Sequence, residues 1–165
     1  MSRRTVFIAL AAVGVAVAWY LFRPERLFVD KTVSEALPQR VALGTETSPA
    51  PVLTGRFHSN AHETKGAATV YRYGDGRLVL RLTEFETSNG PDVQIYLVAS
   101  DDVTDDETVS RAGFVNLGAM KGNIGDQNYE VPAEVDLARY RAVTVWCRRF
   151  SVNFGTAPLA QATGS

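Results

Sequence analysis

The sequence predicts an all-β protein, an antiparallel β-sandwich of about eight strands that is preceded by an N-terminal transmembrane helix. Three features support this prediction. Apolar and polar residues alternate along several short runs after residue 52, glycine-containing turns separate these runs, and an uncharged apolar run lies near the N-terminus. The 165 residues are 45% hydrophobic and 21% charged, which is close to the average of folded domains.

The N-terminal helix is the first predicted element. Arg3 and Arg4 precede an uncharged run over residues 5–22, which as a helix would be about 27 Å long, close to the ~30 Å hydrocarbon core. Trp19 and Tyr20 near its end are typical of a membrane interface. The basic N-terminus predicts a signal-anchor (residues 1–22) with its tip in the cytoplasm and the rest of the chain outside. A secreted protein, cleaved after the small residues 16–18, is the alternative.

Residues 23–52 form the predicted juxtamembrane segment and linker. Apolar residues spaced along residues 23–43 predict a short amphipathic helix near the membrane surface, which Pro38 would end. Residues 44–51 are polar and rich in proline, which is typical of a linker. We therefore place the β domain at residues 53–165.

The strands of this domain follow from alternation. Asp75 between two glycines predicts a hairpin turn, and the leucines of residues 78–82 alternate onto one face. A second alternating run covers residues 93–98, and shorter strands are expected around residues 114–117 and 127–131. The final pair of strands lies within residues 143–155. The acidic residues 101–107 lack the glycine and the spacing of a calcium loop, so a solvated loop is expected there.

Composition narrows the classes of function. The net charge of −1 gives no reason to expect nucleic acid as a partner. A single cysteine excludes an intrachain disulfide framework and a multi-cysteine metal site, and we predict no metal site. No hydrolase, metalloprotease or nucleotide-binding motif is present, so a classical enzyme is not expected.

Cys147, the only cysteine, allows two interpretations. Alternation with Val143 and Val145 directs its side chain into the core, as for an inert buried thiol. Arg148 and Arg149 follow directly, and positive charge favours a reactive thiolate. His58 and His62, the only histidines, are more typical of surface or hydrogen-bonded residues, and Met120 is more typical of a residue that fills a gap.

Four blocks of the sequence resemble one family in order, the DM-thirteen domain family, a β-sandwich module related to the DOMON superfamily. The resemblance covers residues 54–159, and the anchor resembles membrane-anchored bacterial members. The blocks are "TGRFHSNAHETKGAATV", "LRLTEFETSNGPDVQIYLV", "NLGAMKGNIGDQNYEVP" and "VTVWCRRFSVNFGTAPL". The residues that match the family's motifs are His62, Gly66, Gly90, Pro91, Asp92, Lys121, Gly122, Asn123, Gly125, Gln127, Tyr129 and Cys147.

The resemblance implies electron transfer with Cys147 as the redox-active group. Because one cysteine cannot form an internal disulfide, it would need sulfenate chemistry, a partner thiol or a bound cofactor. The cofactor is unknown, and haem is one candidate because related modules bind haem or sugar. We predict a membrane-tethered extracytoplasmic redox module with an envelope redox partner. The alternative is a non-catalytic binding module for a sugar, a small ligand or an envelope protein.

Cys147 should face the core at the end of a late strand, with His62 as its polar neighbour, because the family's two reactive residue types fall on these positions. The loop over residues 117–129 should be ordered, because its glycines and asparagines favour tight turns. A positive φ at Gly122 would make Gly122→Val destabilising.

Overall fold

Two β-sheets make up most of the structure, a computed structural model that describes residues 2–22, 29–38 and 48–162. Each sheet is built from strands that are distant in sequence. The elements are α1 (Arg3–Phe22), β1 (Thr32–Ser34), β2 (Ala50–Arg56), β3 (His58–Ser59), β4 (Lys65–Arg72), β5 (Leu78–Glu86), β6 (Val93–Val98), α2 (Asp106–Ala112), β7 (Phe114–Ala119), β8 (Ile124–Val131), β9 (Ala142–Cys147), β10 (Val152–Pro158) and β11 (Ala160–Gln161).

The strand order confirms an all-β fold with two mainly antiparallel sheets. The six-stranded sheet has the order β1-β8-β5-β4-β2-β11, and the five-stranded sheet has the order β3-β10-β9-β6-β7. Among the described strand pairs, only β1 and β8 run parallel. The structure has more strands than the eight expected, because β1, β3 and β11 have only two or three residues each and are too short to give a pattern in the sequence.

The central hairpin and the core confirm the predicted alternation. β4 and β5 pair across the turn at Asp75, where the Tyr73 N–H donates to the Arg77 carbonyl at 2.9 Å and Gly76 has φ +85°. Leu80 and Leu82 of β5 are fully buried and join Ile95 of β6 in one apolar cluster. Because this cluster draws on both sheets, the core lies between them.

The prediction of a solvated loop over residues 101–107 is confirmed in that its acidic side chains are exposed, but it was wrong for residues 106–107, where α2 begins. The Asp105 carboxylate caps the helix by accepting the Thr108 N–H at 2.7 Å. Val103 and Val109 are fully buried and pack with Tyr96 and Trp146 on the outer face of the five-stranded sheet. The acidic residues face solvent, and the two valines, six residues apart, hold the segment on the sheet. Two apolar residues so far apart do not form a helical pattern in the sequence.

The N-terminal helix forms where the sequence predicted it, over Arg3–Phe22. Its described apolar side chains are exposed, with Phe7 at 72% and Ile8 at 70%. Within the part of the chain that the structure describes, no helix has the combination of length and apolar character that crossing a membrane demands. The predicted transmembrane span is therefore not confirmed.

The prediction of an amphipathic helix over residues 23–43 was wrong for residues 29–38, and its other residues lie outside the described ones. Residues 29–38, hereafter the strap, contain strand β1 and lie along the edge of β8, with Val33 opposite Gly125. The β-branched residues Thr32 and Val33 favour an extended backbone. The strap was assigned to the juxtamembrane segment, yet it adds a strand to the domain's sheet. β2 begins at Ala50, three residues before the predicted start of the domain.

Candidate functional site

Cys147 is the last residue of β9, a strand with neighbours on both sides. It lies opposite Val93 of β6 and Val152 of β10. Its exposed fraction is 0%, and it belongs to the core cluster between the sheets. The predicted inward direction and the position at a strand end are confirmed. The thiol is enclosed by apolar neighbours, because the inward residues of β9 alternate as the sequence indicated.

Arg148, which follows Cys147 directly, forms an ion pair with Asp92. Nε of Arg148 lies 2.8 Å from Oδ2 of Asp92, and the Arg148 N–H donates to the Asp92 carbonyl at 2.9 Å. The hydrogen bond and the negative charge of Asp92 raise the pKa of Arg148. The guanidinium thus ties the turn after β9 to the turn before β6. Among the described residues, the Cys147 sulfur makes no hydrogen bond.

His62 lies on the same core from another side. The His62 ring packs against Phe154, with ring centroids 3.9 Å apart, and the backbone N–H of His62 donates to the Phe154 carbonyl at 3.2 Å. Phe154 belongs to the same core cluster as Cys147. No hydrogen bond joins His62 to Cys147 among the residues described, so activation of the thiol by this histidine stays a prediction. His58 is held separately, with Nε2 2.8 Å from Oδ1 of Asp102.

A groove of about 690 Å³ lies beside the end of β6 that contacts Cys147. Three stretches line it, residues 29–31, 89–94 and 119–122. Val93 lines the groove and is also the register partner of Cys147, so one strand spacing of roughly 4.8 Å separates the groove from the backbone of Cys147.

The turn of residues 90–92 is packed tightly onto this part of the core. A Cβ on Gly90 would lie 2.7 Å from Cγ2 of Val93 and 3.2 Å from Cζ of Phe154. Only glycine fits this turn without displacing core side chains. Gly90, the first residue of this turn, therefore has a packing role. Asp92, the last residue of the turn, forms the ion pair with Arg148.

The loop after β7 is ordered, as predicted, by a buried polar network. The Tyr129 hydroxyl donates to Oε1 of Gln127 at 2.6 Å, and Nε2 of Gln127 donates to the Gly122 carbonyl at 2.9 Å. The Lys121 N–H donates to the same Oε1 at 3.1 Å. Burial raises the pKa of Tyr129, which keeps its hydroxyl protonated as the donor. The loop is thus fixed by its own side chains as well as by its glycines.

The backbone of the strap is recognised by asparagine side chains of this region, a role that the sequence analysis missed. Oδ1 of Asn123 accepts the Lys31 N–H at 2.7 Å, and its Nδ2 donates to Oδ1 of Asp30 at 2.8 Å. Nδ2 of Asn128 donates to the Ala36 carbonyl at 2.9 Å. Sequence reasoning treated both asparagines as turn formers.

Glu35 anchors the other end of the strap. Its carboxylate lies 2.8 and 2.9 Å from Nζ of Lys121 and accepts the Asn128 N–H at 2.8 Å. Arg81 donates from its guanidinium to the Glu35 carbonyl at 2.8 Å. Burial raises the pKa of Glu35, but the bonds to Lys121 and Asn128 outweigh it and lower the pKa below its usual value. The carboxylate is therefore held in its charged form.

The buried thiol does not fit the role of a haem ligand. An axial ligand must present a free nitrogen or sulfur toward an open pocket. Cys147 is fully enclosed, whereas Met120 is a sulfur-bearing residue that lines the groove. Residues 2–22, 29–38 and 48–162 also contain no group of three or more metal-ligating side chains that could hold a metal ion.

Comparison with known proteins identifies the class of protein to which the chain belongs. The family described as Electron transfer DM13 matches residues 56–159, well over half of the chain. The chain belongs to the Electron transfer DM13 family. No curated protein and no solved structure matches it. The relation to the DOMON superfamily and the membrane-anchored bacterial type stay predictions.

Proposed function

We propose that the protein is an electron-transfer module in which Cys147 is the redox-active group. The supporting observation is the position of the only cysteine, at the core end of β9 and one strand from the groove. Membership of the Electron transfer DM13 family supports the class of function. His62 is the candidate partner that would accept the thiol proton after a local shift of the Phe154 contact.

Burial of the thiol selects among its routes of oxidation. Exchange with a partner protein's thiol requires attack on an accessible sulfur, and Cys147 has an exposed fraction of 0%. A hydroperoxide as small as hydrogen peroxide reaches the sulfur through a smaller, local opening of the core than a partner protein needs. Its O–O bond breaks as the sulfur–oxygen bond forms, two electrons pass from sulfur to oxygen, and the thiol proton leaves with the product alcohol or water. Cys147 becomes a sulfenic acid in this step.

Cys147→Ser tests this proposal. We expect the wild-type chain to gain one oxygen atom at residue 147 on treatment with a hydroperoxide, and Cys147→Ser to gain none there. Peptide mass spectrometry after treatment measures this gain. The serine variant should still fold, with a stability loss of about 1–3 kcal/mol, because its hydroxyl is buried without a partner.

Met120→Leu is the matched control for this experiment. Met120 packs partly buried against the same core and lines the groove, so it is the competing sulfur near the site. The leucine variant should keep the oxidation at Cys147 and lose only oxidation at Met120. Oxygen gain confined to Met120 in the wild-type chain would contradict the assignment of Cys147.

The location of the module is part of the proposal. The basic residues and the exposed apolar side chains of α1 support attachment to membrane lipid, with the β domain outside the cytoplasm near an envelope redox partner. Protease added outside the inner membrane of opened cells is expected to digest the β domain. Protection until that membrane is lysed would contradict this location, and a shortened, soluble chain would favour secretion after cleavage.

The groove supports the second candidate function, a non-catalytic binding module for a sugar, a small ligand or an envelope protein. Its lining combines apolar residues such as Val93 and Met120 with polar ones such as Asp30 and Gln94. An absorption spectrum of the purified protein shows whether haem is bound, because haem gives a Soret band. Ligand binding that Cys147→Ser leaves unchanged would favour the binding module.

A further inference from the structure

The contacts of the strap form a complete recognition pattern for an extended peptide. Asparagine and arginine side chains bind backbone groups at Lys31, Glu35 and Ala36. Two carboxylates five residues apart are bound by the loop after β7, that of Asp30 by Asn123 and that of Glu35 by Lys121. This combination of backbone and carboxylate contacts specifies an extended chain with a defined spacing of acidic residues.

Glycines allow the peptide to lie close to the loop. A Cβ on Gly122 would lie 2.3 Å from the Lys31 carbonyl oxygen, and one on Gly125 would lie 2.1 Å from the Val33 carbonyl oxygen. Gly125 also has φ +97°. Because Gly122 and Gly125 have no side chain, an extended chain can lie close to the edge of β8.

The strap adds little to the apolar core. None of its residues 29–38 is buried, and none belongs to either core cluster. Its hold on the sheet is polar, at a sheet edge where β1 adds a three-residue parallel strand to β8. The strap also lies outside residues 56–159, the part that matches the family. The two apolar core clusters are therefore built without residues of the strap.

We propose that Arg81, Lys121, Asn123 and Asn128 form a docking site for an extended diacidic peptide, which the chain's own strap fills and which the strap of a second copy can fill instead. The evidence for this occupant is the strap itself, whose sequence is seen to satisfy the site. An exposed strand edge pairs readily with a further chain once its resident strand leaves. The inference is independent of the redox chemistry of Cys147.

A labelled peptide with the sequence of residues 29–38 tests the docking site. In the full-length wild-type chain, the resident strap competes at high effective concentration and blocks the peptide. The double variant Asp30→Ala and Glu35→Ala weakens the resident strap, so it should bind the peptide at least about tenfold more tightly than the wild type. Fluorescence polarisation measures the affinity. Adding Lys121→Ala should reverse the gain, because it removes the partner of the peptide's glutamate.

The control peptide carries asparagine and glutamine in place of its aspartate and glutamate. Equal binding of both peptides, or equal binding by wild type and double variant, would overturn the proposal. A second measurement on the wild type does not depend on the folding of any variant. The N–H groups of Lys31 and Asn128 should exchange with solvent faster than that of Val145 in β9. Exchange only together with the core would also overturn the proposal.

Discussion

Iodoacetamide is expected to modify Cys147 in the native protein at least about 1,000 times more slowly than in the unfolded chain. The thiol has an exposed fraction of 0% and lies on a strand with neighbours on both sides. Alkylation therefore requires opening of the core, and global opening of a domain costs about 5–15 kcal/mol. The rate of thiol loss, followed with and without denaturant, measures this ratio.

A thiol introduced at an exposed position provides the reference rate. Ser110 lies exposed on α2. In the variant Ser110→Cys, the alkylation rates of the introduced thiol and of Cys147 can therefore be compared in one molecule. The introduced thiol should react at the rate of a free thiol while Cys147 stays protected. Similar rates at both positions would mean that the core end of β9 opens freely, and exchange with a partner's thiol would then become available.

Gly122→Val is expected to destabilise the fold by about 1–3 kcal/mol, the usual cost of overpacking. Its new side chain would overlap the Lys31 carbonyl oxygen and Cγ2 of Val33, at 2.3 and 2.6 Å. The strap is the part of the structure that can yield, because its residues lie outside the core. Denaturation midpoints should fall, and the N–H groups of Lys31 and Asn128 should lose protection first.

Gly76→Ala is the control for this substitution. Gly76 has φ +85°, and a Cβ there meets nothing within 4 Å. The alanine variant should therefore show the cost of backbone strain alone and keep the strap protected. An unchanged midpoint in Gly122→Val, or equal loss of strap protection in both variants, would contradict the crowding of Gly122 by the strap.

The outcome at Gly122 shows what a local pattern can predict. The sequence predicted tight turns in a loop rich in glycine, and the structure confirms an ordered loop. The positive φ considered for Gly122 does not occur there, and this glycine is needed instead for its close approach to Lys31. Lys31 precedes Gly122 by about 90 residues, and no local pattern predicts a contact over such a separation. Positive φ values occur instead at Gly118 and Gly125.

Strands that alternate were predictable, and segments held by long-range contacts were not. The direction of Cys147 followed from Val143 and Val145, because period-two alternation needs only local residues. The helix α2 was missed because two valines bury it among acidic residues. The strap was missed because side chains of distant loops recognise it. The position of His62 against Phe154 likewise depends on how two loops pack.

The most direct test measures how many electrons are needed to reduce the oxidised protein. A sulfenic acid takes up two electrons and two protons to regenerate the thiol and release water. After treatment with hydroperoxide and removal of the excess, reductive titration of Met120→Leu protein should consume two electrons per molecule. The double variant that also carries Cys147→Ser should consume none. Equal consumption by the two proteins would contradict the claim that Cys147 is the redox-active group.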